Sequence, residues 1–428
     1  MNFENSPEFA KKLDNDDVLK SFRSKFYIPI LDGKECIYFT GNSLGLQPKT
    51  AQNYVLDEME NWANYGVEGH FHGRNPWTNF HDVFAKKLQP ILGAHPEEIV
   101  VMNQLTVNLH LMFTTFYRPD KKRYKILCEE RAFTSDQYMM DSQFRLHGID
   151  PVDGLIEVKP RTGETFIRND DIVSAIKNNK VEIALVFFGG INYVTGQFFD
   201  MEAITAAAHE IGAFCGFDLA HAAGNVALQL HDWNVDFACW CSYKYLNAGP
   251  GAVAGAFIHQ RYVADKSLLR LAGWWGTDKH ERFQFKRDFN AIPTAEGWQL
   301  SNSPVLSMAA LKASLDIFEE ADFKNILEKS KRLSAYLLFV LNDINKNAST
   351  KVVEILTPQN AAEHGSQVST RFLKKGKDFF NFLNKKGVLA DWREPDVIRL
   401  SPVPLYNTFE DVFSFGEIMK EFVEKEIN

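Results

Sequence analysis

The 428-residue chain has no long hydrophobic run; the longest, around Ile183–Phe188, is far too short to cross a bilayer. It has no excess of positive charge. Lys plus Arg number 47 against 55 Asp plus Glu, a net charge of −8, which argues against nucleic acid or an anionic membrane surface as the main partner. Cysteines are few and odd in number: Cys36, Cys128, Cys215, Cys239 and Cys241, scattered through apolar runs. That excludes a disulfide scaffold and reads as buried free thiols in a reducing compartment. Cys239 and Cys241 form a Cys-x-Cys pair with no second pair to match, so no metal site is expected. The opening MNFENSPEFAKKLDNDD lacks the apolar core of a signal peptide, and a cytoplasmic location is expected. What remains is an ordinary globular composition, 45% hydrophobic and 24% charged, long enough for two or three domains without staples.

Seven short apolar runs fill the middle of the chain: Ile99–Met102, Tyr124–Cys128, Ile156–Lys159, Ile183–Phe188, Ala213–Phe217, Phe237–Cys241 and Ala252–Ile258. Most lack polar alternation, as strands covered on both faces should. Helical stretches separate them; Met201–Ile211 follows a capping Asp and ends at Gly212. This pattern predicts an α/β fold, a large domain with a mostly parallel seven-stranded sheet flanked by helices. After about residue 300 the texture changes to two long helices, Val305–Glu320 and Phe323–Asn342. Strand-like Val352–Leu356, Gln367–Phe372 and Val388–Leu400 follow, with a helix Lys377–Lys385 and a last helix opened by Thr408 and Asp411. The expected division is a large domain over 55–300 and a small α+β domain built from 1–54 plus 301–428.

Ligands of open parallel sheets bind at the carboxyl ends of the strands. Asp218 directly follows one predicted strand in GFDLAHAAG, and Lys244 follows the next in CWCSYKYLNAGPG. The two could form a structural ion pair. They also match what pyridoxal 5'-phosphate needs: an amine for its aldehyde and a carboxylate for its ring nitrogen. A phosphate would suit the strand-to-helix junction around Leu105 and Thr106, although a simple Asn cap reads equally well. Phe133, Thr134, Ser135 and Asp136 offer a ring and polar partners beyond another strand; core packing is the plainer account of Phe133.

Nine motifs in order then carry a resemblance: YFTGNSLGLQPK (38–49), GVEGHFHGRNPW (66–77), MNQLTVNLHLM (102–112), FTSDQY (133–138), GFDLAHAAGN (216–225), SYKYLNAGPG (242–251), LAGWWGT (271–277), WQLSNSPVL (298–306) and IRLSPVPLYN (398–407). The chain resembles the kynureninase family of fold-type-I pyridoxal-phosphate enzymes over nearly its whole length. The resemblance implies Lys244 as the Schiff-base lysine, Tyr243 as a phosphate and proton-transfer partner, and Asp218 as partner of the pyridinium nitrogen. It implies Leu105, Thr106, Phe133, Thr134, Ser135, Asp136, Gly189 and His221 around the cofactor. Trp274 and Asn302 would reach the cofactor across a homodimer boundary. Gly189 stands where the family often carries a hydroxyl, so another group is expected to substitute. Arg399 would bind the substrate carboxylate, with Asn42 and Ser43 at the entrance. His70, Ser301 and Asn302 would sort kynurenine from 3-hydroxykynurenine, which is expected to be accepted well. The implied activity is hydrolytic Cβ–Cγ cleavage of these small molecules to an anthranilate and L-alanine, in tryptophan catabolism and NAD biosynthesis, without nucleic acid or membrane. A transaminase, a desulfurase-like enzyme and a catalytically silent relative stay open as alternatives.

Overall fold

A computed structural model describes residues 3–284 and 286–427. The seven apolar runs pair into a single sheet, as the sequence predicts. Its strands are β1 (Ile99–Val101), β2 (Lys125–Glu129), β3 (Leu155–Val158), β4 (Ile183–Gly189), β5 (Phe214–Asp218), β6 (Phe237–Trp240) and β7 (Gly255–Ile258), in the order β1-β7-β6-β5-β4-β2-β3. β7 is antiparallel to both β1 and β6, and the others run one way. The carboxyl ends of all strands but β7 therefore share one edge. β7 begins later than the apolar run because Gly249 and Gly251, at φ +90° and +68°, turn the chain before it.

Alternate side chains of each strand enter different cores. Val186 and Phe188 of β4, Cys215 and Phe217 of β5, and Ala238 and Trp240 of β6 face one core, which takes in helix Met201–Glu210. Leu185 and Phe187, with Phe237 and Cys239, face the other, against Leu105–Phe116 and Thr134–Leu146. Both faces are covered, which is why these strands show no polar alternation.

A third core joins both ends of the chain: Ala10, Leu13 and Phe39 pack with side chains from Leu333 to Val423. Its sheet is antiparallel, β8 (Val353–Ile355), β9 (Val368–Phe372), β10 (Asp391–Arg393) and β11 (Val397–Leu400), ordered β8-β9-β11-β10. The strand-like stretch 388–400 is thus broken into three short pieces, the first of which, Val388–Leu389, pairs in parallel with Ile37–Tyr38. An N-terminal helix, Pro7–Asn15, not expected from its polar sequence, is capped by Ser6. Its Asp14 in turn accepts the backbone N–H groups of Phe409 and Glu410 at the start of the last helix, where Thr408 and Asp411 form the anticipated capping box. No helix among the described residues is long and apolar enough to cross a membrane.

Just after the N-terminal helix, Asp17 Oδ2 meets Lys329 Nζ at 2.7 Å, with side chains only 3% and 5% exposed. Burial drags the Lys329 pKa down and the Asp17 charge pulls it back up. Breaking such a pair strands a charge in the interior. Lys329→Met is expected to cost about 3–5 kcal/mol, and adding Asp17→Leu should recover most of that loss. Denaturant midpoints of the two variants check it, and equal losses in both would refute it.

Candidate active site

Lys244 sits just past β6, in a turn held by Asn247 N–H to Lys244 O and Ala248 N–H to Ser242 O. Its Nζ lies 3.0 Å from His221 Nε2, which follows β5. Both side chains line a cavity of about 190 Å³ at the carboxyl edge of the sheet. Leu105, Thr106, Phe133, Ser135, Asp136, Gly189, Asp218 and Tyr243 line it too. The sheet thus brings together ten residues expected at the cofactor, from five different strand ends. Lys244 Nζ stands 5.8 Å from the Phe133 ring centre and 5.9 Å from that of Tyr243.

The cavity is rich in buried carboxyl groups. Asp218, at the tip of β5, accepts Ala220 N–H at 2.7 Å. Burial raises its pKa, while the Lys244 charge and the Ala220 N–H oppose the rise. Asp136 is pushed well up, first by burial and then by the Asp218 charge. A hydrogen bond between the two raises the Asp136 pKa further and lowers that of Asp218. His221 is driven far below its usual range by burial and by the charges of Lys244, Arg399 and Arg393. A neutral ring can accept at Nε2, and its buried Nδ1 has no partner.

Two groups here escaped the sequence reading. Glu129, at the end of β2, is buried and accepts the Gly189 N–H on both oxygens at 3.1 and 3.2 Å. A Cβ on Gly189 would stand 2.9 Å from Glu129 Oε1, so the carboxyl occupies the room that the missing side chain leaves. Tyr193 is the second; its ring meets that of Phe133 edge-on at 5.2 Å. A charged residue closing an apolar strand was the available signal for Glu129.

The residues fit pyridoxal 5'-phosphate. Two helices, Leu105–Phe116 and Thr134–Leu146, begin at the cavity without a side-chain cap, and their Thr106 and Ser135 hydroxyls lie 2.9 Å apart. Uncapped N–H groups beside two hydroxyls make a seat for a phosphate. The buried Asp218 and Asp136 carboxyl groups suit the nitrogen of a heteroaromatic ring, and the unpartnered His221 Nδ1 leaves a donor for a polar substituent.

Arg399, on β11, lies next to this cavity, with its side chain 1% exposed. It donates to the backbone oxygen of Tyr193 at 2.8 Å, to Ser43 Oγ at 3.0 Å and to Asp391. Asn42 is buried and donates to Gln367 Oε1 at 2.9 Å, and Gln367 donates to the same Tyr193 oxygen at 3.1 Å. Gly45 closes the loop by donating to Tyr243 O at 2.8 Å; a Cβ there would lie 2.3 Å from Lys244 O. The remaining expected residues stand apart from the cavity within this chain. Thr134 is exposed at its helix start. Trp274 is 48% exposed and donates to Arg282 O. Ser301 and Asn302 are exposed, and His70 packs edge-on against Trp77 at 5.1 Å. A separate buried cluster, Glu98, His231 and His259, lies at the opposite sheet edge, where Glu98 is taken up by His231 and by the N–H groups of His95 and Gln260.

Solved structures share this arrangement of strands. A cysteine desulfurase from Thermococcus onnurineus superposes with a TM-score of 0.73 at 17% identity, over 99% of this chain and all of that one (100%). The Escherichia coli cysteine desulfurase CsdA gives 0.75 at 15% identity, over 95% and 98%. A variant of the lyase C-DES, carrying glycine covalently linked to its PLP cofactor, gives 0.73 at 14%, over 90% and 96%. These likenesses show the fold, that of the fold-type-I enzymes. Residues 326–419 match the model of the kynureninase C-terminal domain. The kynureninase of Flavobacterium psychrophilum is 53% identical, over 98% of this chain and 99% of its own length. That of Mus musculus is 43% identical, over 97% and 93%. The chain belongs to the kynureninase family.

Burial pushes the Glu129 pKa up to about 8; the Gly189 N–H opposes the shift and the Asp218 charge adds to it. The folded state therefore binds a proton that an unfolded glutamate releases near pH 4.5. Stability from this group is complete below that pH and is lost as pH rises through about 8. In cofactor-free protein, Glu129→Gln should remove this decline, gaining up to a few kcal/mol on wild type between pH 5 and pH 8. Melting at both pH values measures the gap, and a gap independent of pH would count against the assignment.

Proposed function

We propose that this enzyme cleaves the Cβ–Cγ bond of L-kynurenine or 3-hydroxy-L-kynurenine with water, giving an anthranilate and L-alanine. The observation that carries the reading is the Lys244 amine beside neutral His221, in one cavity with the Asp136–Asp218 pair. Pyridoxal 5'-phosphate, when bound, supplies an electron sink conjugated to the substrate amino group. Lys244 would hold its aldehyde, Asp218 its ring nitrogen, and Thr106, Ser135 and Tyr243 its phosphate.

The chain's own groups then divide the work. Ionised Asp218 keeps a positive charge at the ring nitrogen favourable while electron density collects there. Asp136, donating to Asp218, fixes that carboxylate without adding a second charge. Lys244 Nζ, once free, takes the Cα proton and returns it elsewhere as general base and acid. His221 accepts a hydrogen bond from Nζ and so orients it for that transfer. Arg399 holds the substrate carboxylate, and Ser43, Asn42 and Gln367 hold Arg399 and its Tyr193 neighbour in position.

The reading includes a homodimer with a shared site. His70, Trp274, Ser301 and Asn302 do not reach the cavity of their own chain. His70 packs on Trp77, which lines an open apolar groove with Trp62, Val305 and Leu306, close in sequence to Asn302. Trp62 is 61% exposed and Leu306 is 41% exposed, surfaces that a second copy would cover. The division into a 55–300 domain and a small domain from 1–54 plus 301–428 belongs to the same proposal. Five buried, unpaired cysteines support a cytoplasmic location.

Lys244→Ala should retain no covalent cofactor after borohydride treatment and should lose turnover; full activity in that variant would overturn the assignment. For the ring slot, kcat/KM with 3-hydroxykynurenine is expected to equal or exceed that with kynurenine, and a strong preference for plain kynurenine would defeat the expectation.

A further inference from the structure

Arg399 is buried beside the cavity with its counter-charge already in place. A guanidinium recognises a carboxylate through two parallel N–H groups on adjacent nitrogens. Each such fork, Nε with Nη2 or Nη1 with Nη2, needs a free N–H on Nη2. Here Nη2 donates both to Ser43 Oγ and to Asp391 Oδ2, Nη1 donates to Tyr193 O, and Nε has no partner. An arriving carboxylate therefore finds Nε open and the other half of the fork taken.

Asp391 stands directly opposite Arg399 in the register of β10 and β11. Its side chain is only 12% exposed, and Ser43 also donates to it. Two residues further along β10, Arg393 Nη2 lies 3.3 Å from the same Asp391 oxygen. Arg393 is 39% exposed, and its Nε has no partner. One carboxylate thus sits between a sealed cation beside the cavity and a partly exposed one.

We propose that Asp391 is a place-holder for the substrate carboxylate: it neutralises Arg399 in the resting enzyme and passes to Arg393 when an amino-acid carboxylate takes the fork. The inference rests on the reading of Arg399 as the substrate-carboxylate site. A buried guanidinium without a counter-ion is costly, so the site needs an anion whether or not substrate is bound. Exchange of one carboxylate for another keeps the charge constant. It also selects for a ligand that carries a carboxylate, since a decarboxylated analogue offers nothing to displace Asp391.

Steady-state kinetics of the holoenzyme test this. Asp391→Asn should lower KM for kynurenine about tenfold, the size of one charge-assisted hydrogen bond that no longer has to be displaced, with kcat changed far less. The inhibition constant of L-alanine should fall alongside. Arg393→Gln should raise both constants, and adding it to Asp391→Asn should have no further effect, because Arg393 then has nothing to receive. A higher KM in Asp391→Asn, or additive effects in the double variant, would overturn the proposal. Arg399→Lys separates the two layers. If KM and alanine inhibition do not respond to it, the carboxylate-site reading itself fails; if they weaken while Asp391→Asn does not tighten them, only the place-holder role fails. Should Asp391→Asn not fold, Arg393→Gln decides alone, an unchanged KM counting against the exchange.

Discussion

A carboxyl group buried beside an amine at the wall of the cavity is the constraint on which the rest of this structure depends. Burial pushes Asp218 towards protonation. Three things oppose that push: the Lys244 charge, the Ala220 N–H and the hydrogen bond with Asp136. Each comes from a different strand end, so the sheet must be in register before the charge can be held. Glu129, two strands away at the end of β2, has less to oppose its burial. It has two contacts to one N–H and the nearby negative charge of Asp218, and its pKa rises to about 8.

The segment 40–45 links that charge to the substrate side. Gly45 lies against the lysine turn, Ser43 touches both Arg399 and Asp391, and Thr40 bridges to Ser401 at the end of β11. Ser401 in turn shares a hydrogen bond with Tyr245, the neighbour of Lys244. The loop therefore fixes the distance between amine and guanidinium. Closeness explains the second glycine of GNSLG: Gly45 has no room for a Cβ against the lysine backbone.

How much the sequence disclosed follows from how local each signal is. The large sheet was legible because its strands are short apolar runs buried on both faces, and that pattern needs no partner to be recognised. Asp218 and Lys244 were legible because strand ends in such a sheet converge on one edge. The small sheet was only partly so: the stretch from 388 to 400 holds three short strands with charged residues between and within them, which breaks up the apolar pattern. The N-terminal helix was missed because its apolar face, Ala10 and Leu13, is completed by residues more than 300 positions away. Gln367 and Tyr193 act through a shared backbone oxygen, which no side-chain motif announces. The Asp391–Arg399 pairing is a product of strand register, not of spacing along the chain.

The fold alone leaves the reaction undecided, since cysteine desulfurases share it at 15–17% identity. Chemistry at sulfur needs an accessible thiolate. All five cysteines here are buried and unpaired, and burial raises the pKa of every one. Cys241 is the nearest in sequence to Lys244, yet its thiol is buried, and the lysine charge offsets only part of the shift. The thiols serve as packing groups, so the electron sink in this cavity has no sulfur nucleophile to serve. What the cavity holds is an amine beside a buried histidine and three buried carboxyl groups, with a sealed guanidinium close by.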